Sequence, residues 1–449
     1  MKKTVLLVMG GLLMTTTSQA QWAHQPFTFA EASNVPLFVD AVDANTAWAA
    51  SNGLFSGEGA NQVARTFNGG QNWTVITVPG VNPATQTIQS ISAVSATTAW
   101  VATLDAVGGR VLKTTDGGAT WVQQSTATMF SQPDSWPNAI YFFNANDGVV
   151  MGDPEVAGGS MEIYYTANGG TTWTRAANVP VGTAGEYGSL FPPAAVGNSI
   201  WFANDQGDIF RSADKGVTWA VSRGVAADPI ENIAFRDEQN GLALISDANA
   251  TNHMLFRTTN GGATWSTLTY TGPLHGVSID NVPGTGNYIS VGAEFGNGDA
   301  GSSFSRDNGQ TWTSIEANLN HLLVDAAGPT AVWSGAVGVN GAGEIVGLGV
   351  NKLTSTVLPT RAATLVLGAS LSPNPSTDGQ FRVQWAGAAH SGNATLTVAD
   401  ALGRQVLHRT LDATRTTEIT VDLSREKAGL YQVKLESEAG VSHLRAQVL

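Results

Sequence analysis

The chain has no cysteine, so no disulfide supports it and stability must come from buried surface. Charge is scarce as well: Asp, Glu, Lys and Arg make up 13% of 449 residues, too few to solvate long exposed helices. Beyond Met14 no apolar run approaches the ~20 residues of a membrane-spanning helix, so no transmembrane segment is expected. Basic side chains are the minority, and residues 21–359 hold 27 acidic against 11 basic groups. Such a body repels phosphate backbones, which argues against nucleic acid as a partner. The seven histidines are scattered without paired spacing, which leaves no metal motif. The acidic stretch Ser246-Asp247-Ala248-Asn249 suits calcium by ligand type alone and lacks the alternating spacing of a calcium loop, so no cofactor is expected.

Glycine (51 residues) and tryptophan (13) are plentiful, a composition of short strands and tight turns. Residues 1–20 read as a signal peptide. Lys2 and Lys3 precede the apolar stretch Thr4–Met14, and Ser18-Gln19-Ala20 supplies a small-residue cleavage site. The mature chain is therefore expected outside the cytoplasm.

One pattern, Thr/Ser-x-Asp/Asn-x-Gly-x-x-Trp, recurs six times. Its third and last residues are Asn68 and Trp73, Asp116 and Trp121, Asn168 and Trp173, Asp214 and Trp219, Asn260 and Trp265, and Asp307 and Trp312. Successive tryptophans stand 48, 52, 46, 46 and 47 residues apart, the period of a propeller or solenoid. The chemistry of the pattern is that of a turn. Asp or Asn accepts hydrogen bonds from backbone N–H groups just ahead, and Gly supplies positive φ. Asp and Asn alternate freely among the six copies, which suits a turn cap and not a catalytic acid. Each period fits four strands, with Trp48, Trp100, Trp201 and Trp333 at matching core places on second strands. A seventh unit without a box follows at His321–Val324, Ala331–Ser334 and Glu344–Leu348. The mature N-terminus, Pro26–Ala30, would add its outer strand and close the ring. Seven blades is the expected count, with six or eight as alternatives.

The boxes resemble the Asp-box (BNR) repeats of sialidases, some glycoside hydrolases, sortilin-type receptors and photosystem II assembly-factor-like propellers, the last most nearly. The resemblance covers about residues 30–350 and implies a ligand face opposite the box turns. That face would hold the second-to-third strand loops and the crossovers between blades. A sialidase needs three converging arginines. Here Arg65, Arg211, Arg257 and Arg306 stand on the box side, and Asp237-Glu238 follows Arg236 in place of Ile-Pro, which leaves only Arg110, Arg175 and Arg223. Ordinary glycoside hydrolysis needs two carboxylates ~5–9.5 Å apart. The face offers Glu58, Asp105, Asp134, Asp153, Glu155, Glu186, Asp205, Asp247, Glu294 and Asp299 without singling out a pair. One cluster combines carboxylates with aromatics: Asp134, Trp136, Asp153, Glu155, Glu186 and Tyr187. It suits carbohydrate stacking or a peptide anchor, unless Trp136 merely caps its blade.

From residue 371 the pattern changes to short alternating strands, those of a small Ig-like β-sandwich after a linker at 351–370. This stretch looks like the C-terminal sorting domain of the type IX secretion system. The carrying residues are Ser372-Pro373-Asn374-Pro375, Asp400-Ala401-Leu402-Gly403-Arg404 and Gly429-Leu430-Tyr431-Gln432-Val433. The resemblance implies type IX machinery as a partner and a released or surface-attached product. The expected fold class is thus all-β: a seven-bladed β-propeller at 21–350 and a sandwich at 371–449. Three functions fit it: a binding propeller for a glycan, peptide or surface partner, a two-carboxylate glycoside hydrolase, and an assembly or scaffolding factor.

Overall fold

The computed structural model describes residues 21–354 and 369–449, apart from 106–107, 133–134, 183–184, 227, 246–252, 296–297, 386–392, 401–403, 413–417 and 438–439. The chain divides into two compact units, one ending at residue 360 and the other starting at 361.

The first unit is a propeller of seven four-stranded antiparallel sheets. Six blades are consecutive in sequence, and each begins with its innermost strand. These strands are Val35–Ala41, Gln86–Ala93, Pro137–Phe142, Ala194–Val196, Asn232–Phe235 and Ser278–Val282. The seventh blade combines His321–Gly328, Ala331–Val339 and Ile345–Leu353 with the N-terminal strand Trp22–Pro26 on its outer edge. Closure by the N-terminus follows the sequence expectation, but the strand lies four residues earlier than Pro26–Ala30. Trp22 sets this register. Its ring is buried in the core that blades six and seven share, and its indole N–H donates to Ser302 Oγ at 2.8 Å. Phe27 and Phe29, which fall in the expected strand, instead pack beyond it, with the Phe27 ring 5.0 Å from that of Trp73.

Second strands are largely buried, and Ala47–Asn52 and Gly241–Ile245 along their whole length, because a blade is covered on both sides. Trp48, Trp100, Trp201 and Trp333 are among the most deeply buried side chains. Three of them also tie each blade to the next. Trp100 and Trp201 donate indole N–H groups to the box carbonyls of Gly169 and Gly261, and Trp48 donates to Ser95.

The second unit holds two antiparallel sheets, as a β-sandwich does. One contains Ala369–Ser372, Gln380–Trp385 and Glu418–Asp422; the other contains Asn393–Ala399, Gln405–Asp412, Gly429–Ser437 and Gly440–Val448. Phe381, Trp385, Leu396, Val421, Val433 and Leu435 form its core.

Candidate functional site

All six box turns fold by the same local bonds. In each, the N–H of the box Gly donates to the Ser/Thr hydroxyl four residues back, as Gly118 does to Thr114 at 2.8 Å. The Asp or Asn Oδ1 then accepts from the backbone N–H four residues ahead. Exchange of Asp for Asn has a plain cause. In every box but the first, where Asn72 takes the place, a Thr hydroxyl at that fourth position donates to Asp Oδ2 (Thr120 to Asp116, 2.6 Å) or accepts from Asn Nδ2 (Asn168 to Thr172, 2.8 Å). Either side chain is satisfied. Hydrogen bonds from Thr120 and Thr114 hold the Asp116 carboxyl down at about 2. In every box the Gly has positive φ, and a Cβ on Gly216 would stand 2.4 Å from Val149 Cγ2.

The central channel encloses about 800 Å³ and is lined by the innermost strands of all seven blades. Its carboxylates are Asp40, Asp280 and Asp325, which lie on inner strands and not in the loops expected to hold a site. Each stitches one blade to the next. Asp280 accepts the Ala326 N–H at 2.9 Å, Asp325 that of Ala41 at 2.5 Å and Asp40 that of Ala93 at 2.8 Å. Ser90, Ser92 and Asn232 do the same work on other seams, bonding the N–H groups of Ile140, Phe142 and Ile279. Burial, and then mutual repulsion for Asp40 and Asp280 beside Asp325, push these carboxyls up, that of Asp325 to about 6. Burial and the same three carboxylates push the Tyr141 hydroxyl up as well.

On the loop face the crossover from blade three to blade four brings Trp136, Asp153 and the segment Glu186–Gly188 together. Asp153 is buried, and its Oδ1 accepts from Asn138 Nδ2 at 2.8 Å and from the Gly188 N–H at 2.7 Å. Its backbone N–H donates to the Trp136 carbonyl at 3.0 Å. Burial pushes its carboxyl up to about 6, against those hydrogen bonds. Glu186 is buried, bonded to Asn204 Nδ2 at 2.7 Å and 3.7 Å from Arg223. Glu155 pairs with Arg175 at 2.8 Å. Trp136 and Tyr187 remain 37% and 48% exposed, so the aromatic members of the cluster face solvent while its acids cap loops. Asp134, Asp247 and the acidic stretch 246–249 lie outside the described residues, as do the signal peptide and Gly403.

The three arginines able to reach this face do not converge. Arg110 donates to the Gly80 carbonyl and to Gln86, Arg175 pairs with Glu155, and Arg223 pairs with Asp208 at 2.6 Å. Three histidines that looked scattered do gather in the fold. His253 Nε2 and His275 Nδ1 stand 3.3 and 3.1 Å from Asp299 Oδ1, and His321 Nε2 stands 3.1 Å from Glu316. Burial works against charge on Asp299, yet hydrogen bonds from His253, His275 and Gly276 hold its carboxyl below the usual range. Among the described residues, no group of three or more His, Asp or Glu is arranged to hold a metal ion.

The crossover also covers the channel mouth. Phe191 packs into the core of blades seven, one and two, and Pro192 and Pro193 line the channel below. Beside it opens a mainly apolar cavity of about 300 Å³, with Leu37, Phe38, Leu54, Leu190, Phe191 and Leu323 in its wall. Around this mouth Leu54, Phe55, Tyr187, Leu190 and Phe295 are exposed, and the Phe55 and Phe295 rings meet at 5.3 Å. The patch has no sequence signature, because its members come from three separate loops.

In the second unit the described motif residues hold the final strand. Asn374 Nδ2 donates to the Arg445 carbonyl at 2.7 Å, and its Oδ1 accepts the Gln447 N–H at 2.9 Å. Pro373 and Pro375 flank it. Arg404 closes back on Asp400 at 2.7 Å, and the Tyr431 hydroxyl donates to the Lys427 carbonyl at 2.6 Å. Gly429 begins the strand that carries Tyr431.

Comparison with known proteins separates the two units. Residues 370–447 match the family described as secretion system C-terminal sorting domain. The chain is 25% identical over 119 residues to the photosystem II stability/assembly factor HCF136 of Arabidopsis thaliana. That match spans 26% of the chain and 27% of the relative. The solved structure of YCF48 bound to D1 peptide superposes with a TM-score of 0.51 and 15% identity, covering 75% of this chain and 97% of that one. The GH74 enzyme of Niastella koreensis gives 0.44 and 12%, covering 91% and 65%. At 15% identity the match to YCF48 is a likeness of fold alone. The chain is therefore a seven-bladed β-propeller that ends in a type IX secretion C-terminal sorting domain.

Proposed function

We propose that the protein is an exported binding propeller that presents its loop face to a glycan, peptide or cell-surface partner. Export begins with the signal peptide at residues 1–20 and ends at the outer surface. The observation that carries the reading is a division of labour on that face. Its buried acids are engaged in hydrogen bonds, whereas Trp136 and Tyr187 beside them, and Leu54, Phe55 and Leu190 on the same face, are exposed. Exposed apolar patches of this kind mark interaction sites. Trp136 and Tyr187 are the ligand contacts in this reading. The test applies the full chain to glycan and peptide arrays and, in parallel, measures reducing-sugar release from polysaccharides. Array binding that Trp136→Ala weakens, with no sugar released, is the expected outcome. Sugar release would instead support glycoside hydrolysis. Asp153 favours that second reading, since its carboxyl at about 6 falls in the range of a general acid. An Asp153→Asn variant that keeps array binding but abolishes sugar release would establish it. Deleting residues 371–449 should leave the propeller in the periplasm, and its appearance on the cell surface would refute the export route.

A further inference from the structure

We propose that the cavity under Leu190 and Phe191 seats one apolar side chain of a basic peptide, whose backbone is read by the Gln89 amide. The proposal deepens the loop-face reading and rests on it. Its first support is the backbone. Three adjacent inner strands break their pairing register at the cavity, around Leu37 in blade one, at Gln89 in blade two and around Leu323 in blade seven. A bulge leaves the extra residue out of the ladder and re-aims its side chain. Here all three bulges deliver a side chain to the same wall.

Gln89 is the second support. It is 6% exposed, and its side-chain amide has no hydrogen-bond partner among the described residues. That amide is not sealed from solvent but opens to the cavity, where water or a ligand supplies its partner. One amide offers both a donor and an acceptor, which matches the C=O and N–H of a peptide unit. A lipid acyl chain would fill the apolar wall and leave that amide unsatisfied, and a glycan would set hydroxyls against leucine and phenylalanine. A cavity of about 300 Å³ is at the lower end of ligand sites and suits a single Leu- or Phe-sized anchor. Charge selects the flanks of the peptide. Glu58 lies in the wall, and residues 21–359 carry 27 acidic against 11 basic groups, so a Lys or Arg beside the anchor is favoured.

The test uses fluorescein-labelled pentapeptides of sequence Gly-Lys-X-Lys-Gly, with X as Leu, Phe or Asp, and fluorescence anisotropy on the full chain. The Leu and Phe peptides should bind, and the Asp peptide at least about tenfold more weakly. Gln89→Leu, which keeps the shape and removes the amide, should weaken the Leu peptide about tenfold. Leu54→Asp should do the same without disturbing the fold, because Leu54 is 57% exposed. Equal binding of the Leu and Asp peptides would overturn the proposal, as would full retention by both variants. Decanoate that displaces the Leu peptide while Gln89→Leu binds both normally would assign the cavity to acyl chains, again overturning it. Array binding that responds to Trp136→Ala but not to Leu54→Asp would remove this cavity and leave the loop-face reading standing.

Discussion

The two faces of this propeller are built by opposite rules. On the box face the bonds that shape each turn close within four residues and recur six times, while Trp100 and Trp201 reach the box carbonyls of the next blade. On the loop face the partners lie far apart in sequence: Asp153 with Gly188, Glu186 with Asn204, Asp299 with His253 and His275. A local bond needs only the right residue at the right spacing. A distant one needs the ring to close first. The box face is therefore repetitive and tolerant of exchange, and the loop face is particular to this chain. That contrast separates the scaffold from the proposed binding surface.

The largest expected effect sharpens the contrast within one residue type. Trp100 is fully buried, its ring stacked 3.5 Å from Phe142 and its N–H bonded to the next blade. Trp100→Ala should cost about 3–5 kcal/mol in urea unfolding. Trp136→Ala, on the solvent side of the loop face, should cost less than about 1 kcal/mol. Similar losses from both would break the distinction between core and contact tryptophans.

A smaller effect is read through pH. Asp325 and Asp153 are held at about 6 in the folded chain, above the ~3.9 of an unfolded Asp. The folded state thus binds more protons between about pH 4 and 6, and stability falls as pH rises through that window. Asp116 and Glu316, both held at about 2, act in the other sense, and their contribution is lost as pH falls from about 4 toward 2. Burial also pushes the His321 imidazole below its ordinary value, so that group adds a loss of stability as pH falls below about 6.5. Asp325→Asn keeps an acceptor for the Ala41 N–H and removes the buried charge. It should raise stability at pH 7.5 by on the order of 1–3 kcal/mol and leave it nearly unchanged at pH 4.5. A Tm gain of equal size at both values would contradict the assignment.

The same contrast explains what was legible in the sequence. Box turns, blade number and ring closure followed from spacing and local turn chemistry, as did most sandwich strands. The closing strand was misplaced because Phe27 and Phe29 look like strand residues, whereas the Trp22–Ser302 contact that fixes the register spans 280 positions. The stitches of Asp40, Asp280 and Asp325 escaped notice because single acids in apolar strands carry no motif. The convergence of His253, His275 and His321 was hidden for the same reason. The cavity under Leu190 depends on three bulges and one crossover from separate blades, so no local motif marks it.

A paired measurement tests the division of faces most directly: thermal melting and array binding of Asn260→Ala and Tyr187→Ala. Asn260→Ala removes a box cap and should cost about 1 kcal/mol while binding stays intact. Tyr187→Ala, at an exposed ring, should leave the Tm unchanged and weaken binding about tenfold. Binding lost by Asn260→Ala at unchanged Tm, with Tyr187→Ala silent, would contradict the account.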